Sequence, residues 1–494
     1  MNQIYNQLSA RNDVRGNLSQ LRQQIKTQDG SKTAYSWIAA NEPLMREFLQ
    51  SDDAKTRKNA ALLIGDVAYQ PFMELLWNAY EKENTLFVKS AYLTALAHMD
   101  AKPLLGQIKN RLSVLSEVEP EEENRKHISE ELHALRAIII QYEGIVRHTF
   151  DLKGQKTQML LIANRMHREL VRRSVPVKDA ALHPLGVLVT TDCMADIWQS
   201  RCFREIVFPI QTKPSFLVPK PMEAAKSLME AGLVEKLLAL HSEAAPFYFR
   251  IDCKSRMSLE ERSTFSKKMA DTLESLSGGM LINSTSDYEI ELRLIENKDG
   301  GFFPCLKCTA LKDHRFDYRK NFISASIHPS TAALLVNIAA PYLKEDAQIM
   351  DPFCGVGTML IERNKLVPAR EMYATDIFGD AIEKGRENAE LADARINFIH
   401  RDFFDFKHEY LFDEIITNMP MRGKKSREEM DQLYDSFFDK VRTITQREAV
   451  IIMYTNEIGF VKKQLRLRSE FKLLQETCIQ SKTAFYLLII EVKK

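Results

Sequence analysis

Several short apolar runs in the last third of the chain end on residues able to bind or polarise a ligand. The run AQIMD (347–351) closes on Asp351, and Pro352-Phe353-Cys354-Gly355-Val356-Gly357-Thr358 follows, with a helix expected from about Met359. Gly355 and Gly357 permit a tight turn and close approach of backbone to a ligand, and the start of a helix offers free N–H groups. EMYATD (371–376) closes on Asp376, 25 residues after Asp351, the place of an acid that accepts hydrogen bonds from ribose hydroxyls. INFIHRD (396–402) closes on Asp402, and DEIITN (413–418) closes on Asn418, which opens Asn418-Met419-Pro420-Met421. The dinucleotide fingerprint G-x-G-x-x-G is absent, because position 360 is Leu360.

These residues act together only if their strands lie side by side. From about 326 the pattern is strand, helix, strand, helix; REAVIIMYT (447–455) supplies a fifth strand, and EFKLLQETC with TAFYLLIIEVK forms a terminal hairpin. That succession predicts an α/β doubly wound sheet with an antiparallel addition, whose ligands bind at the carboxyl ends of the strands. Before it, 151–317 interleaves strands (GVLVTTD, FREIVFPI, PFYFRIDCK, GFFPCLKCTAL) with helices, and MLINSTSDYEIELRLIE reads as a hairpin. An α+β region with an antiparallel sheet is expected there. Residues 1–150 read as all-α. TRKNAALLIGDVA and FVKSAYLTALAHM echo one another with an offset of 32 residues between Arg57 and Lys89, the pattern of a HEAT-like solenoid; a chance echo within an irregular bundle is the other reading. The acidic run Glu117–Glu123 reads as a solvated loop or helix start.

With 494 residues the chain suggests about three domains. Its 68 basic and 67 acidic side chains cancel to +1, which argues against indiscriminate polyanion binding and leaves room for local basic surfaces. One is the stretch Lys153–Lys220, which with Asp151 counted holds 11 Lys/Arg against 6 Asp/Glu and starts with Arg165, Arg168, Arg172 and Arg173. The amino terminus lacks the basic start and apolar core of a secretory signal, and no run approaches about 18 apolar residues. With seven scattered cysteines besides, the chain reads as cytoplasmic and without membrane contact. Cys305 and Cys308 form a CxxC with no partner pair, so two buried thiols on a strand fit better than a metal site.

Over 318–494 the sequence closely resembles class I S-adenosylmethionine methyltransferases, and within them the THUMP-associated branch that methylates guanine amines of tRNA or rRNA. DPFCGVGTMLIE (351–362) is similar to that branch's first motif, YRKNFISASIHPSTAALLVNIA (318–339) resembles its lead-in helix, and QLYDSFF (432–438) sits where the branch has a Leu-Tyr pair. Over 160–317 the likeness is looser, to ferredoxin-like and THUMP modules, and it does not extend to 1–150. The internal echo makes 1–150 a helical HEAT-like region, and the resemblance implies a THUMP-like RNA-binding region (151–317) and a Rossmann-like methyltransferase domain (318–494). It implies S-adenosylmethionine as cofactor, held at its methionine end by the loop of Asp351, Phe353, Gly355, Gly357 and Thr358. Asp376 would bind the ribose with Ile377 and Phe378 beside the adenine, and Asp402 with Phe403 would hold the adenine amino group. Asn418, with Met419, Pro420 and Met421, would form the catalytic centre and border the cofactor. No metal is implied.

One departure stands out. The family's motif ends in an aromatic that stacks on the flipped base, and here that position is Met421. Directly after it, Arg422, Lys424, Lys425 and Arg427 suit backbone phosphates, or form a solvated loop. A second basic group, Lys462, Lys463, Arg466 and Arg468, reads as solvated surface, and His328 before Pro329 as a helix cap. Three functions compete: transfer of methyl to an exocyclic base amine, guanine N2 foremost, of tRNA or rRNA; transfer to a protein amide or small molecule; and non-catalytic RNA binding or scaffolding on the same fold. A protein partner on the helical repeats is compatible with each.

Overall fold

A computed structural model describes residues 2–494 except Lys26, Thr27, 117–120, Glu122, Val146 and Ala325. Among the described residues, nine α-helices lie between Asn2 and Glu143 and share one apolar core. The two echoing segments are packed neighbours. Gly65 in the helix Ala54–Asp66 lies so close to the helix Leu86–Leu96 that a Cβ there would stand 2.4 Å from the Ala95 Cα. Asp53 caps the first of these helices by accepting from the N–H groups of Lys55 and Thr56. Most of the acidic run expected at Glu117–Glu123 lies outside the described residues.

The middle of the chain forms one eight-stranded sheet: β1 (Thr157–Ala163), β2 (Ala181–His183), β3 (Gly186–Thr191), β4 (Phe203–Pro209), β5 (Phe247–Lys254), β6 (Leu281–Asn283), β7 (Ile290–Glu296) and β8 (Phe302–Cys308). Their order is β2-β3-β1-β4-β8-β7-β5-β6. The sheet is mixed rather than antiparallel, and the hairpin expected over 280–296 does not form. Both β6 and β7 run parallel to β5, on opposite sides of it, with Phe249 facing Asn283 on one side and Ile290 on the other. The helix Leu259–Leu276 returns the chain to β6 in the direction of β5, and the connection 284–289 then carries it across to the other side of β5, where β7 runs parallel as well. Cys305 and Cys308 are buried on β8, and burial pushes both thiols up to about 12.

The last third forms a seven-stranded sheet of β9 (Gln348–Asp351), β10 (Glu371–Asp376), β11 (Asn397–His400), β12 (Phe412–Asn418), β13 (Thr445–Thr455), β14 (Phe471–Gln480) and β15 (Phe485–Lys493). The order β11-β10-β9-β12-β13-β15-β14 is parallel through β13, and the terminal hairpin joins antiparallel at β13. Central strands are buried on both faces: all four residues of β9 are buried, as near-continuous apolar runs require. Among the described residues no helix is long and apolar enough to cross a membrane.

Candidate active site

The order of the sheet brings the ends of β10, β9 and β12 together, with β9 in the middle. The turn after β9 passes through two glycines in the left-handed region, Gly355 (φ +50°) and Gly357 (φ +77°). Gly357 precedes the helix Thr358–Leu366, and a Cβ on it would come within 2.8 Å of the Phe398 ring, so this position takes glycine alone. The turn is tied to β10 by the Cys354 N–H on the Thr375 carbonyl (3.0 Å) and the Thr375 hydroxyl on the Pro352 carbonyl (2.9 Å).

Asp376 joins the two loops. One carboxylate oxygen accepts from the Gly355 N–H (2.9 Å) and the other from the Phe378 N–H (3.0 Å). Each oxygen retains lone-pair capacity for a ligand hydroxyl. Beside it Ile377 and Phe378 are 58% and 63% exposed. Two adjacent large apolar side chains in water, next to a fixed acid, fit the base and ribose of a nucleoside. Thr358 adds a buried hydroxyl, with no partner among the described residues, at the first turn of the helix.

Asp351 is fully buried beneath the turn and accepts from the Phe353 N–H (3.1 Å). Burial, helped by the nearby charge of Asp376, raises its carboxyl to about 7 against the pull of that N–H and of Thr417. Since the folded value lies above the ordinary one of about 3.9, the folded protein holds the extra proton. Its stability at this site falls as pH rises from about 4 to 7, and the whole cost is present above that. A ligand cation seated on the turn favours the charged form. With the amino-acid end of the ligand on this turn, as the sequence leads one to expect, calorimetry should show affinity for S-adenosylhomocysteine, which carries an ammonium on its homocysteine end, rising up to about tenfold between pH 6 and 8. Asp351→Asn should flatten the profile, and a wild-type affinity independent of pH would refute the link.

Asp402 is exposed and caps its own turn by accepting from the Phe404 N–H (3.0 Å). Phe403, expected with Asp402 at the adenine amino group, is a core residue. The residue is 1% exposed and its ring packs against Phe353, Phe404 and Phe437. A phenylalanine at a strand end carries the same sequence signal whether it lines a site or fills the core.

Asn418 is half-buried at the end of β12, and the Met419 N–H donates to the Tyr454 carbonyl (3.0 Å), which holds the motif against β13. Met419 is buried, Pro420 half-buried and Met421 56% exposed. Beyond them a turn closes through the Lys425 N–H on the Arg422 carbonyl (2.9 Å), and Ser426 with Glu429 caps the helix Arg427–Ile444. Arg422, Lys424, Lys425 and Arg427 are all exposed, and among the described residues none forms an ion pair.

Other predicted basic groups are placed differently. Arg172 and Arg173 both pair with Glu169 (2.6 and 2.9 Å), and Lys220 pairs with Glu223, which reduces the free charge of the Lys153–Lys220 stretch. Lys462, Lys463 and Arg468 pair with Glu476, Asp431, and Asp435 with Asp439. His328 caps the helix Pro329–Ala339 by accepting from the Ser330 N–H, and burial, with Arg204 nearby, pushes its imidazole down to about 4.

Two ion pairs around the site went unforeseen. Arg201 donates twice to Glu362 (both 2.8 Å), which is 1% exposed and also accepts from the Tyr318 hydroxyl (2.6 Å). This pins the helix behind the glycine turn to the segment that leads into β4. On the same helix Arg363 pairs with Glu414 of β12. Glu362 and Tyr318 lie in the motifs that carry the resemblance, but Arg201 is 161 residues from its partner and leaves no local signal.

Comparison with known proteins bears on this part of the chain. Over 164 residues it is 27% identical to a tRNA (guanine(10)-N2)-dimethyltransferase of Methanothermobacter thermautotrophicus, covering 31% of this chain and 47% of that protein. Over 106 residues it is 35% identical to a release factor glutamine methyltransferase of Lactococcus lactis, covering 21% and 38%. The chain thus spans about half or less of the length of these relatives. In fold it is similar to the crystal structure of TrmN from Thermus thermophilus, with a TM-score of 0.50 at 16% identity over 68% of this chain and 99% of that one. Residues 317–484 match the family model described as RMKL-like, methyltransferase domain, and S-adenosylmethionine is the cofactor of this part of the chain.

Proposed function

We propose that the protein is an RNA methyltransferase that moves a methyl group from S-adenosylmethionine to an exocyclic base amine, guanine N2, of a tRNA or rRNA. The observation that carries this reading is the placement of Asn418-Met419-Pro420-Met421 at the end of β12, directly beside the glycine turn after β9 and followed by four exposed cations that form no ion pair among the described residues. The cofactor supplies an electrophilic methyl group; the rest is the work of the chain. An exocyclic amine is a poor nucleophile because its lone pair is delocalised into the ring. Asn418 Oδ1 and the Met419 carbonyl, accepting its two N–H bonds, localise that lone pair and stabilise the positive charge that develops. No general base is required before transfer, and alignment supplies much of the acceleration. A base reaches the site only when swung out of its stack, with Arg422, Lys424, Lys425 and Arg427 on the phosphates beside it.

The middle sheet, in the THUMP-like reading, grips the RNA elsewhere. A cavity of about 1040 Å3 supports this: Arg165, Arg262 and Lys298 line it outside any ion pair of the described residues, with exposed Phe216 and Leu259. The HEAT-like reading makes the first 150 residues a further contact surface for RNA or a protein partner. The relative named for glutamine methylation and the missing aromatic at Met421 favour one second reading, a protein amide as acceptor, since an amide offers the same planar N–H pair.

Purified protein incubated with labelled S-adenosylmethionine should label bulk tRNA or rRNA, with the product identified by nucleoside mass spectrometry. Label in protein with none in any RNA would move the assignment to the second reading. Bound S-adenosylhomocysteine with no label in either would sink both.

A further inference from the structure

A base swung out of an RNA needs a flat partner to replace the stacking it loses, and stacking on an aromatic contributes about 1–3 kcal/mol per base. The motif after β12 ends in a thioether, Met421, instead. An exposed ring stands on another segment, next to a residue that touches the glycine turn. Phe322 is 64% exposed, on the crest of the stretch that leads into the helix Pro329–Ala339.

That stretch is fastened on both sides of the ring. The Asn321 N–H donates to Asn388 Oδ1 (3.0 Å), Asn388 Nδ2 returns to the Asn321 carbonyl (2.9 Å), and Asn321 Nδ2 reaches Glu387 (2.5 Å). On the other side the Ile323 N–H donates to the Ser326 hydroxyl (2.9 Å), and Arg319 donates to the Ile327 carbonyl (3.1 Å). The Ile323 side chain lies along the glycine turn, with Cδ1 3.9 Å from where a Cβ on Gly355 would stand. The Arg319 guanidinium sits 5.7 Å from the centre of the Phe322 ring.

The turn that Ile323 touches follows β9, and β9 is the direct neighbour of β12, with Ile349 facing Glu414 and Met350 facing Ile415. Parallel strands lie about 4.8 Å apart, so the glycine turn and the Asn418 motif leave the sheet side by side. Phe322 is thus a water-exposed ring on a backbone held at Asn321 and at Ile323, next to the residue that touches the glycine turn, whose strand β9 is the neighbour of β12. Exposing a phenylalanine rather than burying it forgoes about 1.5–3 kcal/mol. The adenine side of the site already has its own apolar pair in Ile377 and Phe378, beyond β10.

We propose that Phe322 is the stacking surface for the target base, in place of the aromatic missing at Met421. Its ring receives one face of the base while Asn418 and Met419 accept from the amine, and the flexible Met421 thioether packs against the base from its own side. This rests on the reading of the protein as a base methyltransferase.

The test compares Phe322→Ala, Met421→Tyr and the double variant with the wild type. Phe322→Ala should lower kcat/KM for RNA by about 5- to 150-fold, the stacking range converted at 1.4 kcal/mol per decade, and leave affinity for S-adenosylhomocysteine within about twofold. Met421→Tyr introduced into Phe322→Ala should recover about tenfold or more, because it restores a ring where the motif ordinarily has one. Wild-type kcat/KM in Phe322→Ala, an equal loss of cofactor affinity, or a double variant no better than the single one would overturn the proposal.

A second measurement needs no turnover. In Phe322→Trp saturated with S-adenosylhomocysteine, bulk tRNA or rRNA should quench the added indole fluorescence, read as the difference from the wild type with its three tryptophans. Quenching without methyl transfer would keep the stacking surface and sink the proposed reaction. Bound RNA with an unquenched indole would sink the stacking surface itself.

Discussion

Asn418→Ala is expected to lower methyl transfer to RNA by about 10²–10³-fold, the usual consequence of removing one aligned polar group from a developing charge. The loss should fall on kcat, because the amide is asked to act on the amine as it turns cationic rather than on the bound RNA as a whole. Affinity for S-adenosylhomocysteine should change by less than tenfold, since the glycine turn and Asp376 stay in place, joined by the Gly355 N–H at 2.9 Å. Asn418→Asp should retain far more activity than Asn418→Ala, because a carboxylate still accepts from the amine. Single-turnover measurements at saturating RNA separate these effects. An alanine variant with wild-type kcat would place the chemistry elsewhere on the chain.

How much of this site could be read in advance follows from how each residue is held. The strands β9 to β13 were legible because parallel strands buried on both faces are apolar runs with few alternatives, and the residues that end them are the candidates for the site. The hairpin expected over 280–296 failed for a related reason. Apolar alternation fixes which face of a strand is buried but not which neighbour it pairs with, and β6 and β7 pass on either side of β5. Charge counts misled in a similar way: Arg172 and Arg173 look like a basic face until Glu169, three and four residues away, takes both. Phe403 and Phe322 show the limit most sharply. Both are phenylalanines in loops near the cofactor motifs; one is 1% exposed in the core and the other 64% exposed. Only packing from distant segments, Phe437 for the first and Asn388 for the second, decides which is which.

The same logic makes the pair Arg363–Glu414 the most consequential contact for stability. Both side chains are fully buried. Arg363 donates to the two carboxylate oxygens of Glu414 (2.9 and 2.6 Å), to the Lys344 carbonyl (2.7 Å) and to the Val367 carbonyl, and Glu414 also accepts from the Lys344 N–H (2.8 Å). Arg363 belongs to the helix that starts at the glycine turn, and Glu414 to the strand that ends at Asn418, so the pair sets the glycine turn and the Asn418 motif against one another. Arg363→Met leaves a carboxylate in the core without its counter-charge, which costs about 3–5 kcal/mol. That is a large share of the roughly 5–15 kcal/mol that holds a domain folded. The urea midpoint of the transition that includes the 317–484 part should drop accordingly, and bound S-adenosylhomocysteine should recover part of the loss by mass action. Arg363→Met with Glu414→Met should be considerably more stable than Arg363→Met alone, because removing both charges removes the uncompensated one. If the double variant is instead the less stable of the two, the buried charge of Glu414 is being satisfied by the backbone alone, and the pair does not hold the two halves of the site together.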